Sequence, residues 1–214
     1  MKNQRFYAAE SRAQTMFGYA EARERSDKIQ LLTPHFALHE FIRSATARKH
    51  GIANYPSPEA VENLKLLCHH TLEPLREALG LPVVITSGYR CKALNNIIAH
   101  HSNRSQHMKG QAADFHVGQG EVSDSMFQGS GSLQAKRPCG SSAKFWGTSP
   151  HERLVRAFRL ILTEPSIDFD QLIIYPNFIH VSYVSREKNR HSIMTGSGAG
   201  KYCALTREQA LMVE

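Results

Sequence analysis

The sequence predicts an α+β fold with a small, mostly antiparallel sheet and flanking helices. Three observations carry that prediction. Residues 57–79 hold an apolar pattern with helical spacing, and residues 83–86 are a short β-branched run, Val-Val-Ile-Thr. Two further strand-like segments, 171–175 and 178–184, meet across a tight Pro176-Asn177 turn.

The elements follow in order. Residues 1–30 read as an N-terminal helical arm with little amphipathic character, and the main unit opens at Leu31. Thr33-Pro34 precedes a short helical stretch with Leu38, Phe41 and Ile42 on one face. Ser57 is placed as an N-cap, with Pro58 at the first helical position. Val61, Leu64, Cys68, Leu72, Leu75 and Leu79 then form the apolar face, and Gly80 with Pro82 ends the helix. Pro74 inside this run predicts a kink or a split. After the strand at 83–86, Ser87-Gly88-Tyr89-Arg90 turns into a short helix over 92–99. A polar loop over 100–110 leads to a strand at 111–117.

Residues 118–148 are rich in glycine and serine and lack periodicity, so they read as a flexible insertion. Ser149-Pro150-His151-Glu152 has the form of a capping box, and Leu154, Val155, Phe158, Ile161 and Leu162 give the next helix its apolar face. The glycine-rich start of 196–214 reads as a loose C-terminal tail. The predicted organisation is an arm (1–30), one domain (31–195, interrupted at 118–148) and a tail (196–214).

Composition excludes several classes. With 214 residues, 41% hydrophobic and 21% charged, usage is that of a globular protein. No stretch approaches ~20 apolar residues, so no membrane span is expected. Met1 to Arg5 is followed by polar sequence, so no signal peptide is expected and the chain starts its life in the cytoplasm. Cys68, Cys91, Cys139 and Cys203 stand far apart, which argues against a cysteine-type zinc site. Without a secretion signal free thiols are expected, with one or two disulfides the alternative if the protein leaves the cell by another route. A formal charge of +7 favours an anionic partner, but no nucleic-acid recognition motif accompanies it. A monomer is expected.

The chemistry concentrates in Ser105-Gln106-His107-Met108-Lys109-Gly110-Gln111-Ala112-Ala113-Asp114. Imidazole nitrogen and carboxylate oxygen are both good zinc ligands, and three protein ligands with an open fourth position make a catalytic site. The third ligand must come from elsewhere. His180 is the best candidate, because strand alternation puts it with Ser182 on one face between Ile179 and Val181. The adjacent pairs His69-His70 and His100-His101 do not share a helix face and are poor candidates.

The segment resembles the zinc D-Ala-D-Ala carboxypeptidases and peptidoglycan endopeptidases of the peptidase M15 type, fold relatives of the hedgehog signalling domain. Their pattern Ser-x-His-x-x-Gly-x-Ala-x-Asp is matched by Ser105, His107, Gly110, Ala112 and Asp114. Ser87-Gly88-Tyr89-Arg90 is similar to that family's arginine-bearing turn, and residues 169–173 and 179–183 to its last two strands. The resemblance implies Zn2+ held by His107, Asp114 and His180, with Arg90 on a substrate carboxylate and Ser105 beside the substrate. It implies hydrolysis of an amide in the peptidoglycan stem peptide, as a D-Ala-D-Ala carboxypeptidase or an endopeptidase. Such a protein would reach the wall by a non-classical or phage-type release.

One departure stands out. The family commonly carries an acidic general base shortly before its last histidine, where this chain has Asn177, and residues 171–179 hold no carboxylate. Asp170 and His116 are the nearest replacements, and Tyr175 is placed to donate a hydrogen bond to a developing oxyanion. The alternative is a zinc-bound wall-binding module with weak or absent catalysis.

Overall fold

The computed structural model describes residues 30–99, 102–119, 149–197 and 200–213. Strands β1 (Leu31–Thr33) and β2 (Phe36–Ala37) form a small antiparallel hairpin. Helices α1 (Leu38–Ile42), α2 (Ala45–Lys49), α3 (Pro58–Leu67) and α4 (Glu73–Leu79) follow, the last two joined by a π turn at Cys68–Leu72. Next come β3 (Val83–Ser87), α5 (Lys92–Ile97), a 3-10 turn at Gln106–Lys109, β4 (Ala112–Val117) and α6 (Pro150–Thr163). The chain ends with β5 (Gln171–Ile174), β6 (Ile179–Ser182), β7 (Ser192–Gly196), β8 (Tyr202–Ala204) and α7 (Arg207–Leu211).

The predicted caps form. Ser57 Oγ accepts the Ala60 N–H at 3.2 Å, and Ser149 and Glu152 bond each other's backbone N–H groups at 3.1 and 2.6 Å. Pro74 explains the split between α3 and α4. It has no N–H to give the His70 carbonyl, so the ladder widens to a five-residue bond from Glu73 N–H to Cys68 O. The released His70 carbonyl accepts Asp168 N–H at 2.9 Å instead, and Thr71 Oγ1 donates to Asp168 O. A proline in α4 thereby fixes the loop that leads into β5.

The main sheet is larger than the sequence suggested, and it is mixed. Its six strands run in the order β3-β4-β6-β5-β7-β8, antiparallel throughout except for the parallel pair β5 and β7. Alternation decides which face is buried. Ala113, Phe115 and Val117 of β4, Leu172 and Ile174 of β5, and Ile179 and Val181 of β6 join Leu64, Leu67, Leu75, Phe158 and Ile161 in one core. The opposite face carries Asp114 and His180, which are cross-strand partners. That partnership continues outward as Ile173, Met194 and Ala204, one row crossing five strands.

The chain after Gly196, expected as a loose tail, adds structure to the domain among its described residues. Strand β8 pairs with β7, Ala210 of α7 is fully buried, and Arg207 donates to the Leu162 carbonyl at the end of α6. The three exposed residues of β8 carry no burial alternation, and the preceding glycines mimic a linker, so neither signal could be read from the sequence. The expected arm at 1–30 and insertion at 118–148 lie outside the described residues, apart from Gln30, Gly118 and Gln119. Cys68, Cys91 and Cys203 are free, and Cys139 lies outside the described residues. Among the described residues no helix is long and apolar enough to cross a membrane.

Candidate metal centre

The 3-10 turn that carries His107 is set by a glycine. Gly110 closes the turn at φ +70°, and a Cβ there would lie 2.2 Å from the Ala60 carbonyl oxygen in the first turn of α3. A second glycine, Gly88, lies in the separate arginine-bearing turn. A Cβ on Gly88 would lie 2.6 Å from Phe41 O, so only glycine lets this turn press against α1, where Tyr89 N–H bonds Phe41 O at 2.8 Å. Both motif glycines are therefore packing requirements of the site's framework.

Gly88 also orients a ligand. Its carbonyl lies 2.7 Å from His107 Nδ1, so that nitrogen carries the proton and Nε2 turns its lone pair toward Asp114. His107 Nε2 is 3.4 Å from Asp114 Oδ1, and His180 Nδ1 is 2.8 Å from the same oxygen. The three donor atoms lie within 4.8 Å of one another. His107 is 4% exposed, and its burial pushes the imidazole toward the neutral form that binds metal, against the pull of Asp114. Burial opposes ionisation of Asp114 too, but His107 and His180 outweigh it and hold the carboxyl well below the usual carboxylate range.

Arg90 completes the arrangement. Its Nη2 donates to Asp114 Oδ2 at 2.9 Å, while Nε and Nη2 bond Ser87 Oγ at 3.1 and 2.9 Å. One carboxylate oxygen is thus neutralised by a guanidinium and the other faces two imidazoles. The donor set suits a zinc ion. Bonds of ~2.0–2.2 Å in a tetrahedron put ligand atoms about 3.3–3.6 Å apart. The His107–Asp114 separation of 3.4 Å lies in that range, the His180–Asp114 separation of 2.8 Å is shorter, and three ligands leave a fourth position open.

Residues 34–132 match the family model described as Peptidase M15. The chain carries a peptidase M15-like domain. No curated protein matches it. Peptidase M15 is a metal-dependent peptidase family, and the match takes in Arg90, His107 and Asp114. His180 lies beyond the match, and the β4–β6 register brings it in.

The triad of the M15-like domain lines a cleft of about 950 Å3. Arg90 and Ser105, expected at the substrate, line it as well. Tyr175 does too, its ring stacked on Phe178 at 4.2 Å and set edge-on to Tyr202 at 6.4 Å. Gly196 makes room for that ring, since a Cβ there would lie 2.4 Å from it. Burial and the nearby Tyr202 hydroxyl hold the Tyr175 phenol firmly protonated. His116 shares the Asp114 face of β4 but is not among the residues lining the cleft, and Asn177 sits exposed on the β5–β6 turn.

Asp170 lines the cleft but is fully engaged. It is 1% exposed and accepts from Arg190 N and Nε at 2.9 Å each, from Arg190 Nη2 at 2.5 Å, from Gln106 Nε2 at 2.9 Å and from Ser182 Oγ at 3.3 Å. These bonds tie the turn next to His107 to β6 and to the start of β7. Arg190, which reads in sequence as part of a solvated strand end, is the clamp on this carboxylate. Gln106 and Tyr202 were not legible in advance either, because one is a variable position of the pattern and the other lies in the expected tail. Burial raises the Asp170 pKa, but its bonds from Arg190 and Gln106 prevail and bring it down to about 2.

A pH dependence follows. A folded-state value below the unfolded ~3.9 means that Asp170 contributes stability above about pH 4 and loses it as pH falls through about 2. Asp170→Asn is expected to cost about 2 kcal/mol at neutral pH and to flatten the acid limb. Urea midpoints between pH 2 and pH 7 check this; an acid limb as steep as that of the unaltered protein contradicts it.

Proposed function

We propose that the protein is a zinc-dependent peptidase acting on the stem peptide of peptidoglycan, in the manner of a D-Ala-D-Ala carboxypeptidase. The observation that carries this reading is the convergence of His107 Nε2, Asp114 Oδ1 and His180 Nδ1 beside Arg90 in one cleft. Zinc held by those three residues would supply Lewis acidity at a scissile carbonyl.

The chain's own residues then divide the work. The Gly88 carbonyl keeps the His107 imidazole in register. Arg90 holds a substrate carboxylate, its Nη1 having no hydrogen bond among the described residues, and a guanidinium fork suits that group. Ser105 borders the bound peptide. Tyr175 donates a hydrogen bond to the carbonyl oxygen as negative charge develops on it.

A second reading is favoured by one observation. Asp114 and Asp170 are the only carboxylates among the described residues lining the cleft, and both are spent on internal partners. Lack of a general base typically costs ~10²–10⁴-fold, so the alternative is a zinc-bound wall-binding module with weak or no catalysis. Incubating the zinc-loaded protein with a stem pentapeptide separates the two. Slow release of D-alanine that chelator abolishes is the expected result. Peptide binding without any release assigns the module instead, and neither binding nor release overturns both.

A further inference from the structure

A second cavity, of about 1020 Å3, lies on the other side of the Ser87–Arg90 turn. Arg90 and Ile98 line both it and the metal cleft, so the two compartments adjoin across one short stretch of chain. Its walls are preformed. Asn54, 8% exposed, donates from Nδ2 to Ile42 O at 3.0 Å and to Tyr89 O at 2.9 Å. Its Oδ1 accepts Cys91 N–H at 2.8 Å. One buried amide therefore fastens the end of α1, the loop before α3 and the arginine-bearing turn together. Ser44 Oγ caps α2 on Ala47 N–H at 3.1 Å, and Arg43 Nη2 bonds Ile85 O at 3.1 Å. A cavity held in shape this way costs little ordering when a ligand arrives.

The chemistry of this cavity is one-sided. No aspartate or glutamate lines it among the described residues, while Arg43, Arg48 and Arg90 bring three guanidinium groups. Tyr55, half-exposed, and Tyr89 add aromatic surface, and Thr86 and Ser87 add hydroxyls. Arg90 is already paired with Asp114, but Arg43 and Arg48 have no carboxylate partner among the described residues. Such guanidinium groups attract carboxylates and offer them a bidentate fork, and aromatic rings accept the carbon skeleton that carries the charge. A cationic ligand meets only repulsion there.

We propose that this second cavity is a binding subsite for a carboxylate-bearing segment of the substrate, which crosses the Ser87–Arg90 turn and is held on both sides of Arg90. The link to a scissile bond rests on the peptidase reading above; the ligand chemistry of the cavity does not. The protein then reads a longer acidic chain, and a bare terminal dipeptide occupies only the metal cleft.

Arg48→Glu and Tyr55→Ala test the subsite at exposed positions, with Lys65→Glu, outside both cavities, as the charge control. The probes are a stem pentapeptide and the same peptide with its side-chain carboxylates amidated, titrated calorimetrically into the chelator-stripped full chain. Arg48→Glu is expected to weaken the acidic peptide about tenfold and Tyr55→Ala about threefold, with Lys65→Glu unchanged. The amidated peptide should bind the unaltered protein about as weakly as the acidic one binds Arg48→Glu. In the zinc-loaded protein both variants should raise KM for the pentapeptide and leave D-Ala-D-Ala dipeptide hydrolysis unchanged. Equal binding of acidic and amidated peptides, or no effect of either variant, overturns the subsite, and turnover by the unaltered protein would still uphold the peptidase. The expected binding pattern without any turnover upholds the subsite and removes the peptidase.

Discussion

His107→Ala is expected to empty the metal centre. The substitution removes one of three donor atoms and also the hydrogen bond to Gly88 O that fixes the donor's direction. Loss of an outer partner of a metal ligand typically costs ~10–100-fold in affinity, and loss of the ligand itself should exceed that. Zinc content after dialysis should fall from about one per chain toward zero, and any peptide release should go with it. His116→Ala is the matched control, since His116 lies on the same strand face but not among the residues lining the cleft. Full zinc retention by His107→Ala, or equal loss in both variants, contradicts the assignment of ligands.

The second large effect belongs to a glycine. Gly110→Ala forces an L-residue to φ +70° and drives a Cβ to 2.2 Å from the Ala60 carbonyl oxygen, whose helix is capped and cannot readily yield. The conformational part costs about 1–2 kcal/mol and the steric part about 1–3 kcal/mol, so a loss of about 2–5 kcal/mol is expected. Because the same turn carries His107, zinc affinity should drop in the folded fraction as well. Gly80→Ala separates the two contributions: Gly80 has φ +64° but nothing within 4 Å of its Cβ position, so only the conformational cost applies. Denaturant titrations of both variants check this, and equal losses would show that the contact with α3 does not matter.

Much of this was legible in the sequence for physical reasons that can be named. Ser57-Pro58 and Ser149 with Glu152 are local signals, and they formed the caps expected of them. Pro74 announced a break, which appears as a π turn. The alternation in β4 and β6 put Asp114 and His180 on the face away from the core, and their register made them neighbours. What stayed hidden depends on long-range contacts. A parallel pairing of β5 with β7 leaves no mark in either strand, and a short β8 behind glycines looks like a linker. Asp170 illustrates the same limit. Its position beside the last strands suggested a base, while the clamp from Arg190, Gln106 and Ser182 is set by residues up to 64 positions away in the chain.

These hidden contacts also shape the chemistry. Arg90 is shared between Asp114 and the two cavities, so metal binding and substrate carboxylate binding meet at one guanidinium. With Asp170 committed to structure and His107 and His180 facing the metal position, the proton-bearing groups left along the cleft include Tyr175, Tyr202, Lys109 and Lys188 but no free carboxylate among the described residues. Slow turnover is the natural outcome of that inventory.

Everything proposed for the cleft depends on one zinc ion binding among His107, Asp114 and His180. Anomalous diffraction at the zinc edge, from crystals grown with equimolar zinc, tests this most directly. A single strong peak is expected, bonded to His107 Nε2, Asp114 Oδ1 and His180 Nδ1, with a fourth position left to solvent. A peak elsewhere on the chain, or no peak between the three residues, would contradict it.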